Sequence, residues 1–393
     1  MAGLKVIDCA TLFAGPVVAS LLGDYGADVL KVEHPRGDSL RSLGWSKDGV
    51  PLWWALAARN KRCVTLDLSK SEGQDIIREL VRDADVLIEN FRPGTLERWG
   101  LGPDDLHSIN SRLVIVRTTA FGQDGPYSKR PGFGTLAESM SGFAAINGWP
   151  DKPPVLPPFA LGDGVAALAG AFATMMALWW RDTREHGSGQ VIDLSIYEAL
   201  FWILGPQTLV YDQLGIVQDR AGNAAPFAAP RNAYRSKDGC WLGLSASAQS
   251  IAERVMRLIG RDDLVQQPWF LDNSGRVQHA AELDEAIQGW VGMRTADEVI
   301  SAFEGAGAAI APMYTVDELV HDPQFIARES IIRVPHPRLG PVLMQNLIAR
   351  LNQTPGHVQF AGRDLGEDNH EIYSKRLGMS AQQLAHLREN QVI

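Results

Sequence analysis

The stretch LKVIDCATLFAGPVVASLLGDYGADVLKVE, residues 4–33, decides the fold. Its segment Leu4–Cys9 has the apolar pattern of a buried strand. Ala14-Gly15-Pro16 predicts a turn whose proline suits a first helical turn, and Val17–Tyr25 predicts the helix that follows. Asp28–Glu33 predicts a second strand. A strand, a helix and a strand in close succession are typical of a right-handed βαβ unit on a parallel sheet.

The same alternation continues further along the chain. Arg62–Leu68 predicts a strand followed by the helix Ser71–Arg82, and Asp85–Glu89, Leu113–Thr119 and Val191–Ser195 predict further strands. The sequence therefore predicts an α/β fold. Ligands of such folds bind beyond the carboxyl ends of the parallel strands, so the functional site is expected there.

The composition indicates an ordinary globular protein. The chain has 393 residues, of which 45% are hydrophobic and 21% charged, and its net charge is -9. The net negative charge argues against nucleic acid as the main partner, because such binding needs a basic face. The three cysteines show no CxxC spacing, so neither a disulfide framework nor a zinc site is indicated, and a reducing cytoplasm fits. No signal peptide is recognised, and the uncharged run Gly164–Trp180 is interpreted as a buried core helix rather than a membrane segment.

Familiar cofactor and nucleophile motifs are weak or missing. Gly132-Phe133-Gly134-Thr135-Leu136-Ala137 has the letters of a dinucleotide-binding motif. It does not directly follow a strand, so glycines in a tight loop are the better interpretation. The scattered histidines have no spacing typical of metal ligands, and the chain has neither a phosphate-binding loop motif nor a GxSxG nucleophile motif. We therefore expect no metal and no permanently bound cofactor.

Two sites remain open from the residues alone. The loop Asn90–Gly94 places an amide, an aromatic ring and a guanidinium after a strand, with Arg98 one helical turn on. It is either an exposed turn or a site for an adenine and phosphates. Asp163 stands at the start of the apolar run and is either a helix cap or a poorly hydrated carboxylate nucleophile.

An ordered set of short sequence stretches, called phrases here, favours the functional alternative at both sites. The phrases lie between residues 14 and 195 and comprise Ala14-Gly15-Pro16, Gly26-Ala27-Asp28-Val29-Leu30-Lys31-Val32-Glu33, Asn60-Lys61-Arg62, Ile88-Glu89-Asn90-Phe91-Arg92-Pro93-Gly94, Gly122-Gln123-Asp124-Gly125-Pro126-Tyr127, Leu161-Gly162-Asp163 and Gly187-Ser188-Gly189-Gln190-Val191-Ile192-Asp193-Leu194-Ser195. In this order they closely resemble the class III coenzyme A transferase family, the CaiB/BaiF group that includes formyl-CoA transferase. The likeness runs from about residue 3 to 200 and resumes at Asp322–Arg328 and residues 362–366.

The resemblance implies an architecture of two domains and an interlocked homodimer. A large Rossmann-like, CoA-binding domain would comprise residues 1–204 and 325–393. A smaller α+β domain would comprise residues 225–310, with linkers at 205–224 and 311–324. Two such chains would interlock like links, so that folding and assembly would be coupled.

The resemblance also implies the chemistry. An Asp at the position of Asp163 attacks an acyl-CoA, and CoA passes through an aspartyl-CoA thioester to a carboxylic acid acceptor. The reaction needs a carboxylate nucleophile, stabilisation of an oxyanion and exclusion of water, with the CoA thioester as substrate and no resident cofactor. The implied CoA contacts are Phe13, Ala14, Arg36, Leu66, Asp67, Leu68, Ser69, Asn90, Phe91 and Arg98. Lys129 or Arg130 would stand in for a family lysine.

Departures from the family pattern bear on the substrate. The glycine-run loop of formyl-CoA transferase is replaced by residues 224–231, so oxalate is not the expected acceptor. Trp45, Glu138 and Arg231 are candidate substrate residues, and Arg231 would pair with a second carboxylate of a dicarboxylic acid such as succinate. The related α-methylacyl-CoA racemases pair the Asp with a His, which Gly132-Phe133-Gly134 does not supply, so racemase is the alternative function. A non-catalytic CoA-binding protein is a third possibility.

Overall fold

The computed structural model describes residues 1–393. The strands are β1 Lys5–Asp8, β2 Asp28–Glu33, β3 Ser46–Lys47, β4 Val50–Pro51, β5 Lys61–Thr65, β6 Val86–Glu89, β7 Val114–Thr119, β8 Val191–Ser195, β9 Arg231–Arg235, β10 Trp241–Ser245, β11 Ile310–Pro312, β12 Ile331–Val334 and β13 Val342–Gln345. The predicted mixed α/β fold is confirmed, because six parallel strands form one sheet in the order β5-β2-β1-β6-β7-β8.

The helices complete the layers around the sheets. They are α1 Ala14–Asp24, α2 Leu52–Ala57, α3 Ser71–Val81, α4 Thr95–Arg98, α5 Pro103–Ile109, α6 Gly134–Met140, α7 Phe143–Ile146, α8 Leu161–Asp182, α9 Ile196–Trp202, α10 Gln207–Leu214, α11 Gln249–Leu258, α12 Asp262–Val265, α13 Asn273–Gln278, α14 Ala280–Val291, α15 Ala296–Gly305, α16 Val316–Leu319, α17 Pro323–Ala327 and α18 Ala381–Glu389. Short 3-10 turns occupy Ser39–Ser42 and Pro268–Leu271, and a π-helix occupies His370–Arg376.

The chain divides into two compact units. The first contains residues 1–143, 156–205 and 326–393, and the second contains residues 144–155 and 206–325. The second unit has its own three-stranded antiparallel sheet, β11-β10-β9, and its own apolar core. Of the segment predicted as a linker at 205–224, residues 206–224 belong to this second unit and contain helix α10.

Both faces of the six-stranded sheet are covered by apolar side chains. One face packs around Leu30, Leu80 and Ile115, and the other around Val29, Val18 and Val116. Neighbouring residues of β2 therefore point to opposite cores, as the alternation of side chains along a strand requires. Because both faces of the sheet are buried, neighbouring residues along a central strand, such as Val29 and Leu30, are both apolar.

Two local predictions are corrected. Helix α1 begins at Ala14, three residues before the predicted start at Val17, because Pro16 is accommodated within its first turn. The run Gly164–Trp180 lies in α8, but it is not a fully buried core helix, since Phe172 is 67% and Trp179 74% exposed. Helix α8 is long and apolar enough to cross a membrane by length and composition alone, a property shared by core helices of globular proteins.

Candidate active site

A cavity of about 170 Å³ lies where β1, β6 and β7 reach their carboxyl ends. It is lined by the residues that follow each of these neighbouring strands. They are Thr11–Ala14 after β1, Asn90–Pro93 after β6 and Thr118–Phe121 at the end of β7, joined by Ser128, Arg130–Phe133, Asp163 and Ile196. The parallel sheet thus gathers into one site loops that are far apart in the sequence, as expected for this type of fold.

Asp163 contributes a carboxylate to this cavity from the first turn of α8. Ala160 is the N-cap residue and no side chain caps the helix, so the structure does not support the alternative in which Asp163 caps it. Burial, reinforced by the nearby charge of Glu138, raises the pKa of Asp163 to about 6, although its own backbone N–H opposes the rise. The carboxylate is therefore incompletely solvated and still mostly ionised near pH 7, which suits a nucleophile.

The segment 134–138 packs directly against this carboxylate. A Cβ on Gly134 would lie 2.0 Å from Asp163 Oδ2, so only glycine leaves room for the side chain there. Glu138, 2% exposed, accepts a hydrogen bond of 3.0 Å from the backbone N–H of Gly162. Helix α6 therefore holds the start of α8, and the charge of its Glu138 helps to raise the pKa of Asp163. Glu138, predicted as a substrate residue, does not line the cavity.

The loop after β1 is held from the side by Asn90. The Asn90 Oδ1 accepts from the Thr11 N–H at 2.8 Å, and its Nδ2 donates to the Thr11 carbonyl at 2.7 Å. Phe13 is fixed by an edge-to-face contact with Trp53, with ring centroids 5.2 Å apart. The N–H groups of Phe13, Ala14 and Gly15 at the start of α1 have no acceptor within the protein. This helix start therefore offers free donors at the cavity.

The loop after β6 presents Phe91 to the cavity. The Phe91 N–H donates to Glu89 Oε2 at 2.7 Å, and its ring contacts Trp99 edge-to-face at 5.3 Å. Arg98 lies outside the cavity and donates to Thr95 Oγ1 at 3.0 Å. Arg130, the alternative to Lys129 in the sequence, does line the cavity and stacks on Tyr127 at 3.7 Å.

The remaining predicted CoA contacts lie elsewhere in the first unit. Arg36 and Asp67 line a separate depression of about 560 Å³, together with His34, Lys70 and Arg388. Ser69 is exposed and donates to Asp67 Oδ1 from both its N–H and its hydroxyl. The side chains of Leu66 and Leu68 belong to the apolar core, so only their backbone is available to a ligand.

The structure does not bring the other substrate candidates into the cavity. Trp45 is 82% exposed and does not line it. Arg231 begins β9 in the second unit, where its guanidinium donates to the Ala224 carbonyl at 3.5 Å. The predicted residues that do line the cavity are Asp163, Phe13, Ala14, Asn90 and Phe91.

Sequence reasoning missed two features of this site. Gly134 was interpreted as a loop glycine, and only the packed structure shows that it faces Asp163. Thr118, 1% exposed, lines the cavity, and its Oγ1 has no hydrogen-bond partner. Its position at the end of a predicted strand was the one signal available, since ligands of such folds lie at strand ends.

Comparison with known proteins identifies the family. Residues 1–369 match the family model described as CoA-transferase family III. The chain is 41% identical to the succinyl-CoA–D-citramalate CoA-transferase of Chloroflexus aurantiacus, over 99% of this chain and 97% of that protein. It is 38% identical to the beta subunit of a succinyl-CoA–L-malate CoA-transferase from the same organism, over 100% of this chain and 98% of the relative.

A solved structure gives the same result. The crystal structure of a CaiB/BaiF family protein from Brucella suis superposes with a TM-score of 0.82 at 30% identity, covering 95% of this chain and 98% of that one. These relatives carry transferase and family names, so the racemase alternative is not favoured. The chain belongs to CoA-transferase family III, and it is a CoA-transferase.

Proposed function

We propose that this enzyme moves CoA from succinyl-CoA to a second carboxylic acid through a covalent intermediate on Asp163. The observation that carries the proposal is the Asp163 carboxylate, confined against Gly134 in a cavity at the strand ends, with its pKa raised by burial. The two named relatives use succinyl-CoA, which supports this donor. Their acceptors, citramalate and malate, support a hydroxylated dicarboxylic acid as the acceptor class.

The reaction consists of two matched exchanges. The Asp163 carboxylate attacks the thioester carbonyl of succinyl-CoA; a C–O bond forms, the C–S bond breaks, and CoA leaves as the thiolate. The thiolate attacks the Asp163 carbonyl of this anhydride, which releases succinate and leaves an aspartyl-CoA thioester. The acceptor carboxylate attacks that thioester, and the released thiolate attacks the acceptor carbonyl of the new anhydride. The product acyl-CoA departs and Asp163 is restored.

Each exchange passes through a tetrahedral oxyanion. Phe13 and Ala14 line the cavity, and their N–H groups at the start of α1 have no acceptor within the protein. The positive end of the helix dipole favours negative charge there. Thr118 lines the same cavity, and its buried hydroxyl has no hydrogen-bond partner. We assign oxyanion stabilisation to the Phe13 and Ala14 N–H groups. We assign binding of the CoA nucleotide to Asn90, Phe91 and Arg98. Arg36 and residues 66–69 would bind the far end of the same nucleotide.

A homodimer is part of this proposal. Helices α8 and α9 expose apolar side chains in the single chain, among them Phe172, Trp179 and Trp202, the last 83% exposed. A second copy that covers this face would remove them from water. We propose two interlocked chains in the cytoplasm, each with a CoA-binding domain built from both chain ends and a smaller domain built from the middle of the chain.

Trapping of the intermediate tests the proposal. The protein is incubated with succinyl-CoA and hydroxylamine, and its peptides are analysed by mass spectrometry. An aspartyl-CoA thioester on Asp163 is expected to become a hydroxamate at that residue. Asp163→Asn is expected to lose the modification and at least about 1000-fold in kcat, since the nucleophile is gone.

The matched control is Asp104→Asn, which changes an exposed aspartate in the first turn of α5. It is expected to retain both activity and the hydroxamate on Asp163. An unmodified Asp163 during turnover would overturn the covalent route. Citramalate, malate, glutarate and acetate as acceptors, each with succinyl-CoA, would then rank the acceptor classes.

A further inference from the structure

Four buried charges lie beneath the loop that follows β1. The side chains of Lys61, Asp8 and Asp38 are fully enclosed and that of Lys31 is 1% exposed. Lys31 Nζ lies 3.2 Å from Asp38 Oδ2 and 3.7 Å from Asp8 Oδ1, while Lys61 Nζ lies 2.9 Å from Asp8 Oδ2. None of these residues lines the cavity that contains Asp163. Any effect on catalysis must therefore pass through the loop.

The contacts of this cluster with the loop are directed at its backbone. Lys31 Nζ donates to the Ala10 carbonyl, and Asp38 Oδ1 accepts from the Leu12 N–H at 3.1 Å. Asp8 Oδ1 accepts from the Ala10 N–H at 3.1 Å. Asp38 is itself fixed, because its backbone N–H donates to Glu33 Oε2 at 3.1 Å. The backbone of the loop is thus hydrogen-bonded to the buried cluster at both Ala10 and Leu12.

The backbone conformation of Leu12 explains why these hydrogen bonds are needed. Its φ of 64° lies in the left-handed region, which a leucine rarely adopts. The next two residues, Phe13 and Ala14, carry free N–H groups at the cavity. A backbone of this kind persists only where surrounding contacts impose it, and such sites cluster where function depends on the geometry.

The cluster contains two lysines and two aspartates, so its formal charges cancel. Burial alone would lower the pKa of Lys31, but Asp8, Asp38 and Glu33 together raise it above its ordinary value. Burial, followed by the charge of Lys31, lowers the pKa of Lys61 despite Asp8. A buried ion pair is seldom more stabilising than apolar side chains of similar size, so its specific value here is the conformation that it imposes.

We infer that Lys31 and Asp38 are positioning residues for the transfer reaction: they hold Ala10–Leu12 so that the Phe13 and Ala14 N–H groups meet the oxyanion formed at Asp163. The inference rests on the proposed function of Asp163. It predicts a defect in the chemical step, with little change in the affinity for acyl-CoA.

Asp38→Ala removes the acceptor of the Leu12 N–H and is the first test. The rate at which succinyl-CoA modifies Asp163 is measured by rapid quench and mass spectrometry, per folded active site. The rate is expected to fall about 30- to 100-fold, because displacement of a reacting group by about 1 Å has effects of this size. The KM for succinyl-CoA is expected to stay within about threefold. Asp38→Asn, which retains an oxygen for the Leu12 N–H, is expected to recover most of the rate.

A double-mutant cycle asks whether Asp38 acts through Leu12. Glycine adopts a positive φ without the steric cost that leucine has. Leu12→Gly therefore lessens the need for the hydrogen bond from the residue 12 N–H to Asp38. The loss caused by Asp38→Ala is expected to be at least about threefold smaller in the Leu12→Gly background. Equal losses in both backgrounds would overturn the role assigned to Leu12 and with it the inference.

Asp24→Ala is the matched control. Asp24, 1% exposed, pairs with Arg59 at 2.5 Å at the opposite end of α1 from the cavity. This variant is expected to lower the thermal unfolding temperature while leaving the rate per folded site unchanged. A purely structural role for Asp38 would give the same pattern, so an unchanged rate in Asp38→Ala would overturn the inference.

A second variant covers the case in which Asp38→Ala does not fold. The double change Lys31→Met with Asp38→Asn removes the pair as a unit, and Lys61 still neutralises Asp8. It is expected to slow modification of Asp163 about tenfold through loss of the Ala10 contact. An unchanged rate contradicts positioning, whereas a wild-type enzyme with no adduct at Asp163 contradicts the proposed function instead.

Discussion

At the residue scale, two neighbours shape the surroundings of the partly buried Asp163 carboxylate. Gly134 leaves space for the carboxylate, and Glu138 adds a buried negative charge nearby. A carboxyl group with a raised pKa is a stronger nucleophile when ionised, but it also loses its charge at a higher pH. The charge of the carboxylate and the space beside it can be tested separately.

The first is the pH dependence of the covalent step. Because the pKa of Asp163 is about 6 and the reactive form is the anion, the rate of adduct formation is expected to be constant above about pH 7 and to fall about tenfold per pH unit well below the pKa. Burial is the larger cause of the raised pKa, and the charge of Glu138 adds to it. Glu138→Gln removes that charge but retains an oxygen for the Gly162 N–H, so the midpoint should move to lower pH. The exposed residue Glu304 supplies the control, Glu304→Gln, and an unmoved midpoint in Glu138→Gln would contradict the assignment.

The second concerns the space beside the carboxylate. Gly134→Ala would place a methyl group 2.0 Å from Asp163 Oδ2, so the side chain must turn away from its present position. We expect kcat to fall more than about 100-fold, since the nucleophile is displaced from the reacting geometry. Gly289→Ala, at a helical glycine with nothing within 4 Å of the added Cβ, is expected to leave kcat unchanged. Full activity of Gly134→Ala would show that Asp163 reacts from another rotamer.

At the element scale, an ion pair joins the ends of the neighbouring strands β6 and β7. Arg117 on β7 donates from Nε to Glu89 Oε1 on β6 and from Nη1 to Glu97 Oε1 on α4, both at 2.7 Å. Burial raises the pKa of Glu89 in spite of Arg117. Because Glu89 also accepts the Phe91 N–H, this triad fixes the loop after β6 to the sheet.

Arg117→Met should therefore destabilise the protein strongly. It leaves the fully buried Glu89 carboxylate without a counter-charge, which costs about 3–5 kcal/mol in comparable sites. Adding Glu89→Gln neutralises the stranded charge and is expected to restore more than half of the loss. Urea unfolding of the single and double variants provides the comparison, and a double variant no more stable than Arg117→Met would refute the electrostatic explanation.

At the scale of the whole molecule, helix α8 exposes an apolar stripe on the surface of the single chain. Its outer face carries Leu168, Phe172, Met176 and Trp179 at helical spacing, all of them exposed in the single chain. Such a stripe normally packs against something, and its inner face already packs on α1. The second copy in the proposed homodimer would occupy it.

Charged substitutions on this stripe test the dimer. Phe172→Asp together with Trp179→Asp is expected to convert a dimer into a monomer or an aggregate in sedimentation velocity, because a carboxylate buried in an apolar interface is costly. Met293→Asp changes a similarly exposed apolar side chain, 68% exposed, outside the stripe and should leave the sedimentation coefficient unchanged. A wild-type protein that sediments as a monomer at micromolar concentration would refute the dimer.

The sequence by itself determined the parallel α/β sheet and predicted Asp163 as the reactive residue. Adjacent apolar residues, such as Val6-Ile7 in β1 and Val29-Leu30 in β2, indicate burial on both faces of the sheet. The ordered phrases around Asp163 indicate the family's chemistry. Tertiary structure alone decided that Gly134 faces Asp163, that Leu66 and Leu68 are core residues, and that Lys31 and Asp38 hold the loop beneath Leu12. The physical reason is that periodicity encodes local burial, whereas a site is made by side chains that only the packing of distant segments brings within a few ångströms of each other.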